Sequence, residues 1–424
     1  MSDYLHRIVD EEIDELFQSL PAISIEGPRG VGKTETTLRR ASTIHRLDDA
    51  NQRQILEAAP DQIASGDTPI LIDEWQRVPQ SWDVVRREVD RDHSPGRFLL
   101  TGSATPTETP THSGAGRIVT VRMRPLSLAE RQVDSPTVSL RKLLDDDTST
   151  IEGRTEVRLR EYTEEILASG FPGLRHLSGR ALRAQLDGYI TRIVDTDFEQ
   201  LGRNVRKPQS VLRWMKAYAA ATATTATYET IRDAATSGRG DKPAKTTTLP
   251  YRDILERLWV VEPLSAWLPT RNPLSRLSKP PKHHLADPAL AARLLGVDAD
   301  ALLKGRDVEP SVARDGLLLG HLFESLVTLS VRVYAQLSEA RVYHLRTRGG
   351  RHEVDMIVER GDHRVVAMEV KLGTTIDDDD VKHLLWLKDK LGDDILDTVI
   401  IYTGTMAYRR KDGVAVVPAA ILGP

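Results

Sequence analysis

Residues 27 to 34 read Gly27-Pro28-Arg29-Gly30-Val31-Gly32-Lys33-Thr34, which satisfies G-x-x-x-x-G-K-[ST] in full. The run follows the short apolar stretch Ala22-Ile23-Ser24-Ile25 and precedes a helix-like pattern through Leu38. That strand-loop-helix setting is the context in which such a loop works. Each residue type has a physical reason. Glycines let backbone N–H groups curl around phosphate oxygens, and the start of the helix adds partial positive charge. Lys33 is expected to reach the outer phosphates and Thr34 to supply a magnesium ligand. Gly27, Pro28, Arg29, Gly30, Val31, Gly32, Lys33 and Thr34 together are the expected cradle for ATP with Mg2+.

A loop of this kind needs a parallel sheet beneath it, and the flanking sequence offers one. An amphipathic lead-in helix (Ile8, Ile13, Leu16, Phe17) precedes it, and Pro69-Ile70-Leu71-Ile72 and Arg97-Phe98-Leu99-Leu100 read as further buried strands. Their polar carboxyl ends would lie at the edge where open α/β sheets bind ligands. Ile70-Leu71-Ile72 ends in Asp73-Glu74, a Walker B pattern. Asp73 is expected to hold magnesium through water, and Glu74 to polarise an attacking water. The third strand ends in Thr101-Gly102-Ser103, where a hydroxyl senses the outer phosphate or the residues form an ordinary strand-end turn.

At 424 residues the chain has room for two to four domains. Its 40% hydrophobic and 28% charged content is that of a packed globular protein, not of a disordered one. The absence of cysteine excludes disulfides, thiolate metal sites and cysteine nucleophiles. A net charge of -4 gives no global basic field, so nucleic-acid binding has to come from local patches. No run of the roughly 18 consecutive apolar residues that a spanning helix needs is evident, and the first twenty residues carry carboxylates where a signal peptide carries cations. A cytoplasmic protein without a membrane partner is expected.

The order of elements divides the chain into residues 1–130, a P-loop domain; 131–206, a helical extension; 207–285, a winged-helix-like region with a basic connector; and 286–424, a second α/β domain. The extension is interrupted by the polar stretch Asp145 to Arg154 and by Gly170-Phe171-Pro172-Gly173. The middle region reads as three helical segments, a loop at Ser237 to Asp241, and an extended run Trp259-Val260-Val261. Arg252 and Arg257 on its third segment either enter a nucleic-acid groove or belong to a plain connector. His283 and His284, being adjacent, cannot share one face of a regular element, so packing or phosphate contact is expected of them rather than a paired metal site.

Gly27 to Thr34, Leu71 to Trp75, Leu99 to Ser103, Gly114 to Arg117 and Pro125-Leu126-Ser127 resemble, in this order, the prokaryotic AAA-type ATPases that carry a C-terminal domain of unknown function. The resemblance continues through Gly170 to Gly173, Tyr251 to Trp259 and Pro281-Lys282-His283-His284-Leu285-Ala286-Asp287. It implies an ATPase, and it implies that Arg117 faces the phosphates or the sheet edge, against the alternative of a surface arginine.

In the C-terminal domain Glu353-Val354-Asp355-Met356-Ile357-Val358 and Met368-Glu369-Val370-Lys371 read as two strands joined by a turn at Arg360-Gly361-Asp362. Alternation puts Glu369 and Lys371 on one face. Asp355, Glu369 and Lys371, with Glu324 from the preceding helix, resemble the PD-(D/E)xK nuclease signature. In that reading Glu324, Asp355 and Glu369 hold magnesium and Lys371 orients or deprotonates water. Two other readings stay open: a solvated ion pair, or a nuclease fold whose chemistry is lost. Arg346, Arg348, Arg351 and His352 beside these strands either contact phosphates or form a solvated basic hairpin. Asp377 to Asp380 are expected to cap a helix. The sequence therefore points to a magnesium-dependent ATPase joined to a nuclease-like domain that acts on or binds DNA. The opposing class is a nucleotide-dependent switch or scaffold whose nuclease-like domain is inactive.

Overall fold

The computed structural model describes residues 4–103, 115–145, 151–198, 208–236, 245–269, 279–304 and 317–424. The expected loop at Ser237 to Asp241, Gly114, part of the stretch Asp145 to Arg154 and part of the basic connector lie outside these residues, as does the side chain of Arg348.

The N-terminal part is built on five parallel strands, β1 (Ala22–Glu26), β2 (Thr43–Arg46), β3 (Ile70–Asp73), β4 (Phe98–Gly102) and β5 (Val119–Arg122), in the order β2-β3-β4-β1-β5. Apart from β2 and the edge strand β5 they are nearly continuous apolar runs, as strands covered on both faces must be. Helices α1 (Ile8–Phe17), α2 (Lys33–Leu38), α3 (Ala50–Ala58) and α4 (Gln80–Arg91) pack around the sheet. Register places the carboxyl ends together, with Glu26 opposite both Gly102 and Arg122, and Ile72 opposite Leu100. The loop after β1 and the carboxylates after β3 thus share one edge, with β4 between them.

The C-terminal sheet has seven strands in the order β7-β12-β13-β11-β10-β9-β8. Six of them are β8 (Arg341–Arg346), β9 (Glu353–Glu359), β10 (Val365–Lys371), β11 (Ile395–Tyr402), β12 (Met406–Arg409) and β13 (Ala415–Pro418). β8, β9 and β10 form an antiparallel meander, and β10, β11 and β13 run parallel. Its edge strand β7 (Gly153–Arg154) comes from far upstream and pairs with β12. Likewise β6 (Val138–Ser139) pairs with β14 (Leu422–Gly423) at the end of the chain. Two short strands from residues 131–206 thus pair with strands near the end of the chain. A two-residue strand carries no alternation, so its pairing cannot be read locally.

Helices α5 (Leu140–Leu144), α6 (Leu159–Ala168), α7 (Gly179–Arg192), α8 (Pro208–Ala220), α9 (Tyr228–Ala234), α10 (Lys245–Arg257), α11 (Pro288–Leu295) and α12 (Ala299–Lys304) fill the middle. After α10, Trp259 turns at positive φ, and the extended run is reduced to single antiparallel bridges, Val261 with Leu285 and Leu264 with Lys282. α13 (Leu317–Leu337) is long and apolar enough by composition to cross a membrane, yet 72% of its most apolar window is buried inside the protein. It packs on α1, α6 and the C-terminal sheet, so one continuous core runs from Ile23 and Val121 through Phe323 and Tyr334 to Met368 and Ile401. α14 (Asp378–Leu391) covers the far face of that sheet, capped by Asp377 as expected.

Candidate functional site

The phosphate loop has the close-packed backbone its chemistry needs. Gly30 and Gly32 lie at φ +75° and +105°, in the left-handed region that glycine tolerates. A Cβ on Gly27 would lie 2.1 Å from the Met123 carbonyl oxygen. Lys33 is buried and lays its Nζ across the loop, donating to Gly27 O at 2.8 Å and Pro28 O at 2.9 Å. Burial lowers its pKa to about 8, with the nearby Glu74 and Asp73 pulling the other way. Thr34 Oγ1 donates to Asp73 Oδ1 at 2.9 Å. Hydroxyl and carboxylate therefore meet where a magnesium ion would need oxygen ligands, so loop and strand end fit Mg2+ with ATP.

Thr101 is fully buried, donates to Asp73, and accepts from the backbone N–H of Glu74 at 3.1 Å. Its hydroxyl is engaged on both sides. In these contacts it positions the two acids. Glu74 sits at φ +59°, an uncommon conformation for a residue with a side chain. Its carboxylate accepts from Gln76 Nε2 at 2.7 Å and Ser103 Oγ at 3.3 Å. Gly102 is needed beside them, because a Cβ there would lie 2.8 Å from Trp75 Nε1.

Arg117 does not reach this edge. It precedes β5 and so lies at the amino edge of a parallel sheet, where its Nε donates to Asp90 at 2.8 Å. The surface-arginine alternative describes it, and its expected place at the phosphates is corrected.

Sequence reading missed the groups that hold the loop from outside. Arg7 is almost completely buried and donates to Glu130 Oε1 at 3.0 Å, to Val31 O at 2.7 Å and to Arg124 O at 2.6 Å. Glu130 also accepts from Ser127, which gives the Pro125-Leu126-Ser127 motif its purpose as a turn that anchors Arg7. Arg29 pairs with Asp197 at 2.8 Å, and Tyr189 OH donates to Arg29 O at 3.2 Å. Arg122, at the end of β5, stacks 3.6 Å over the Trp259 ring and lies 3.7 Å from Glu262. Burial lowers its pKa to about 9. Glu262 also pairs with Arg124 at 2.8 Å and Arg332 at 3.7 Å, and despite its burial these cations hold its carboxyl far below the usual range. This cluster connects the nucleotide-binding edge to the middle segment and to α13.

Asp287, His283 and His284 in the middle of the chain make internal packing contacts. Asp287 accepts from Ser169 Oγ at 2.6 Å and Gly170 N at 2.8 Å. His283 packs against Tyr218 and Tyr228, with its ring bonded to Ala226 O at 2.7 Å, and His284 meets Ser325 at 3.2 Å.

In the C-terminal domain the hairpin β9–β10 and α13 bring Glu324, Asp355, Glu369 and Lys371 to one place. Asp355 Oδ2 accepts from Val370 N at 3.0 Å and shares a hydrogen bond with Glu369. Burial and the neighbouring Asp355 charge raise the Glu369 carboxyl well above its ordinary range. Lys371 Nζ lies 3.6 Å from Glu369 and 3.8 Å from Asp380. The space between Glu324 and Asp355 is taken by the ammonium of Lys282, at 2.7 Å and 2.9 Å from their oxygens. Among the described residues no group of three carboxylates or histidines is placed to hold a metal. The expectation that Glu324, Asp355 and Glu369 ligate magnesium is corrected on that geometry. The signal was in the quoted motif around Lys282, but sequence alone does not show that its side chain folds inward.

Three of the basic candidates, Arg346, Arg252 and His352, are engaged within the chain. Arg346 pairs with Glu353 at 3.6 Å and donates to Thr225 at 2.7 Å. Arg252 pairs with Asp253 at 3.1 Å and lies over the Tyr228 ring. His352 stacks on Trp386 at 3.9 Å.

Comparison with known proteins agrees with this geometry at a coarse level. Residues 19–132 match a family model described as an AAA domain. Residues 159–301 and 319–422 each match a domain of unknown function, DUF8612 and DUF4143. The uncharacterized proteins Rv2008c of Mycobacterium tuberculosis and Mb2031c of Mycobacterium bovis are each 29% identical over 361 residues, covering 84% of this chain and 71% of theirs. A solved structure, the Walker-type ATPase PABY2304 of Pyrococcus abyssi, aligns with a TM-score of 0.39 at 16% identity, over 69% of this chain and 96% of that one. That last likeness is too distant to carry an argument. The AAA domain match, together with the loop and strand ends, supports an AAA-type P-loop nucleotide-binding and hydrolysing domain.

Proposed function

We propose that this chain is a magnesium-dependent ATPase that works as a nucleotide-dependent switch or scaffold, with a nuclease-like C-terminal domain that binds protein or DNA without cutting it. The observation that carries the ATPase reading is the hydrogen-bonded path from Thr34 through Asp73 and Thr101 to the backbone of Glu74. It joins the loop that would hold phosphates to the acid that would act on water.

In this reading the backbone of residues 27–34 binds the phosphates of ATP, and Lys33 turns its ammonium from the loop carbonyls toward them. Thr34 and Asp73 would hold Mg2+, which would supply charge neutralisation on the outer phosphates. Glu74 orients the attacking water and accepts its proton, released from or steered by its contacts with Gln76 and Ser103. Coupling to the rest of the chain is supported by Arg122 and Arg124, which lead from the end of β5 to Glu262 and Trp259. A winged-helix character for the middle region is supported by three helices followed by antiparallel bridges.

The nuclease-like reading of the C-terminal domain is supported by the meeting of Asp355, Glu369 and Lys371 on one hairpin. Its inactivity is supported by Lys282. A phosphate-release assay on the full chain with Mg2+ and ATP, paired with nucleotide binding to Lys33→Ala, tests the ATPase reading. Turnover that persists in Lys33→Ala would overturn it.

A further inference from the structure

Lys282 is among the largest fully buried side chains, and its environment is an acid cluster that sequence patterns assign to a metal ion. Its Nζ donates to Glu324 Oε1 at 2.7 Å and Asp355 Oδ1 at 2.9 Å, and lies 3.7 Å from Glu353 Oε1. These acids come from α13 and β9, and the lysine from the described end of the basic connector.

The distances decide between two cations. Magnesium demands oxygen ligands at ~2.0 to 2.1 Å in near-octahedral order. An ion bonded to the same two oxygens at those lengths would lie within about 5 Å of the ammonium, against strong like-charge repulsion in a dry site. An ammonium has three donors, no geometric requirement beyond their directions, and satisfies the carboxylates at ordinary hydrogen-bond lengths.

Nor is the lysine poised to leave. Its backbone is pinned on both sides of the side chain: Lys282 N donates to Leu264 O at 2.9 Å, and Leu264 N to Lys282 O at 2.7 Å. His283 N donates to Thr224 O at 2.9 Å, and Glu262 N to His284 O at 2.9 Å. The same short segment therefore carries the lysine into the acid cluster and joins the Glu262 network that reaches the nucleotide-binding edge.

We infer that Lys282 takes the place of a divalent cation in the C-terminal acid cluster, making it a lysine-neutralised ion-pair site that ties the domain to the middle of the chain. The inference rests on the nuclease-like reading of that domain and names what removes its chemistry. Glu369 and Lys371 remain beside it as a second, neighbouring pair, 3.6 Å apart.

The test is Mn2+ titration of the nucleotide-free full chain, followed by electron paramagnetic resonance, in an Asp73→Asn background so that the phosphate loop contributes no site. That chain is expected to bind no Mn2+ below millimolar concentration. Adding Lys282→Ala, which removes the ammonium and leaves room for a hydrated ion, is expected to create one site at least tenfold tighter, lost again on adding Asp355→Asn. Submillimolar Mn2+ binding by the Asp73→Asn chain with Lys282 intact overturns the inference, and this measurement stands even if Lys282→Ala does not fold. A folded Lys282→Ala protein that gains no Mn2+ site overturns the inference while leaving the non-cutting reading in place. Metal-dependent nicking of plasmid DNA by the wild-type chain overturns that reading itself.

Discussion

Thr34 Oγ1 donates to Asp73 Oδ1 at 2.9 Å, across 39 residues of sequence. A loop hydroxyl and a strand-end carboxylate are thus already in contact in the folded chain, and magnesium would bind between partners that need little rearrangement. Replacing Asp73 with Asn removes the charge while keeping the size. Nucleotide binding to Asp73→Asn is expected to lose its enhancement by Mg2+, a loss of at least about tenfold or ~1.4 kcal/mol, measured by titrating a fluorescent ATP analogue with and without the ion. An unchanged enhancement would remove Asp73 from the magnesium site.

Lys33 gives a pH dependence with a definite sign. Burial lowers its pKa to about 8, and phosphate binding requires the charged form. Below pH 8 most of the free protein is ready to bind. Above it, binding has to take up a proton, and by pH 9 only about one lysine in ten is charged. Nucleotide affinity is expected to fall by up to about tenfold per pH unit above 8, with proton uptake visible as a buffer-dependent binding enthalpy in calorimetry. Affinity constant from pH 7 to 9.5 would contradict this.

Arg7 braces the phosphate loop from the N-terminal helix, and its buried partner Glu130 has no second cation in the contacts described. Arg7→Ala leaves that carboxylate buried without its pair and is expected to cost about 3 to 5 kcal/mol in denaturant unfolding. Arg7→Lys should recover only part, because a single ammonium cannot reach Glu130, Val31 and Arg124 at once. A change below about 1 kcal/mol in Arg7→Ala would show that the brace contributes little.

Arg346 and Arg252 are paired with carboxylates of the same chain. If the chain binds DNA, Arg346→Ala and Arg252→Ala are each expected to leave the log-log salt slope of binding unchanged, whereas a phosphate contact would lower it by about 1. Titrations on duplex DNA at several salt concentrations supply the slopes.

Much of the nucleotide site could be read from the sequence because its parts are local. Gly30 and Gly32 take backbone conformations that glycine readily gives, and Ile70 to Glu74 switch from buried strand to acid within five residues. The β9–β10 hairpin and the cap at Asp377 were legible for the same reason. What escaped is long-range. Arg7 finds Glu130 across 123 residues, and Lys282 finds Asp355 across 73. β7 and β6 are too short to carry a periodicity and are defined only by β12 and β14. Arg117 misled because a resemblance gives a residue's place in the chain, whereas the direction of β5 decides at which sheet edge it lies.

ATP hydrolysis is proposed to take place at the loop and the acids after β3. Its most direct test is Mg2+-dependent phosphate release by purified wild-type and Glu74→Gln chains, with ATP binding measured on the same samples. Turnover is expected in the wild type, and in Glu74→Gln retained binding with turnover reduced by about a hundredfold or more. A Glu74→Gln chain that hydrolyses ATP at the wild-type rate would contradict it.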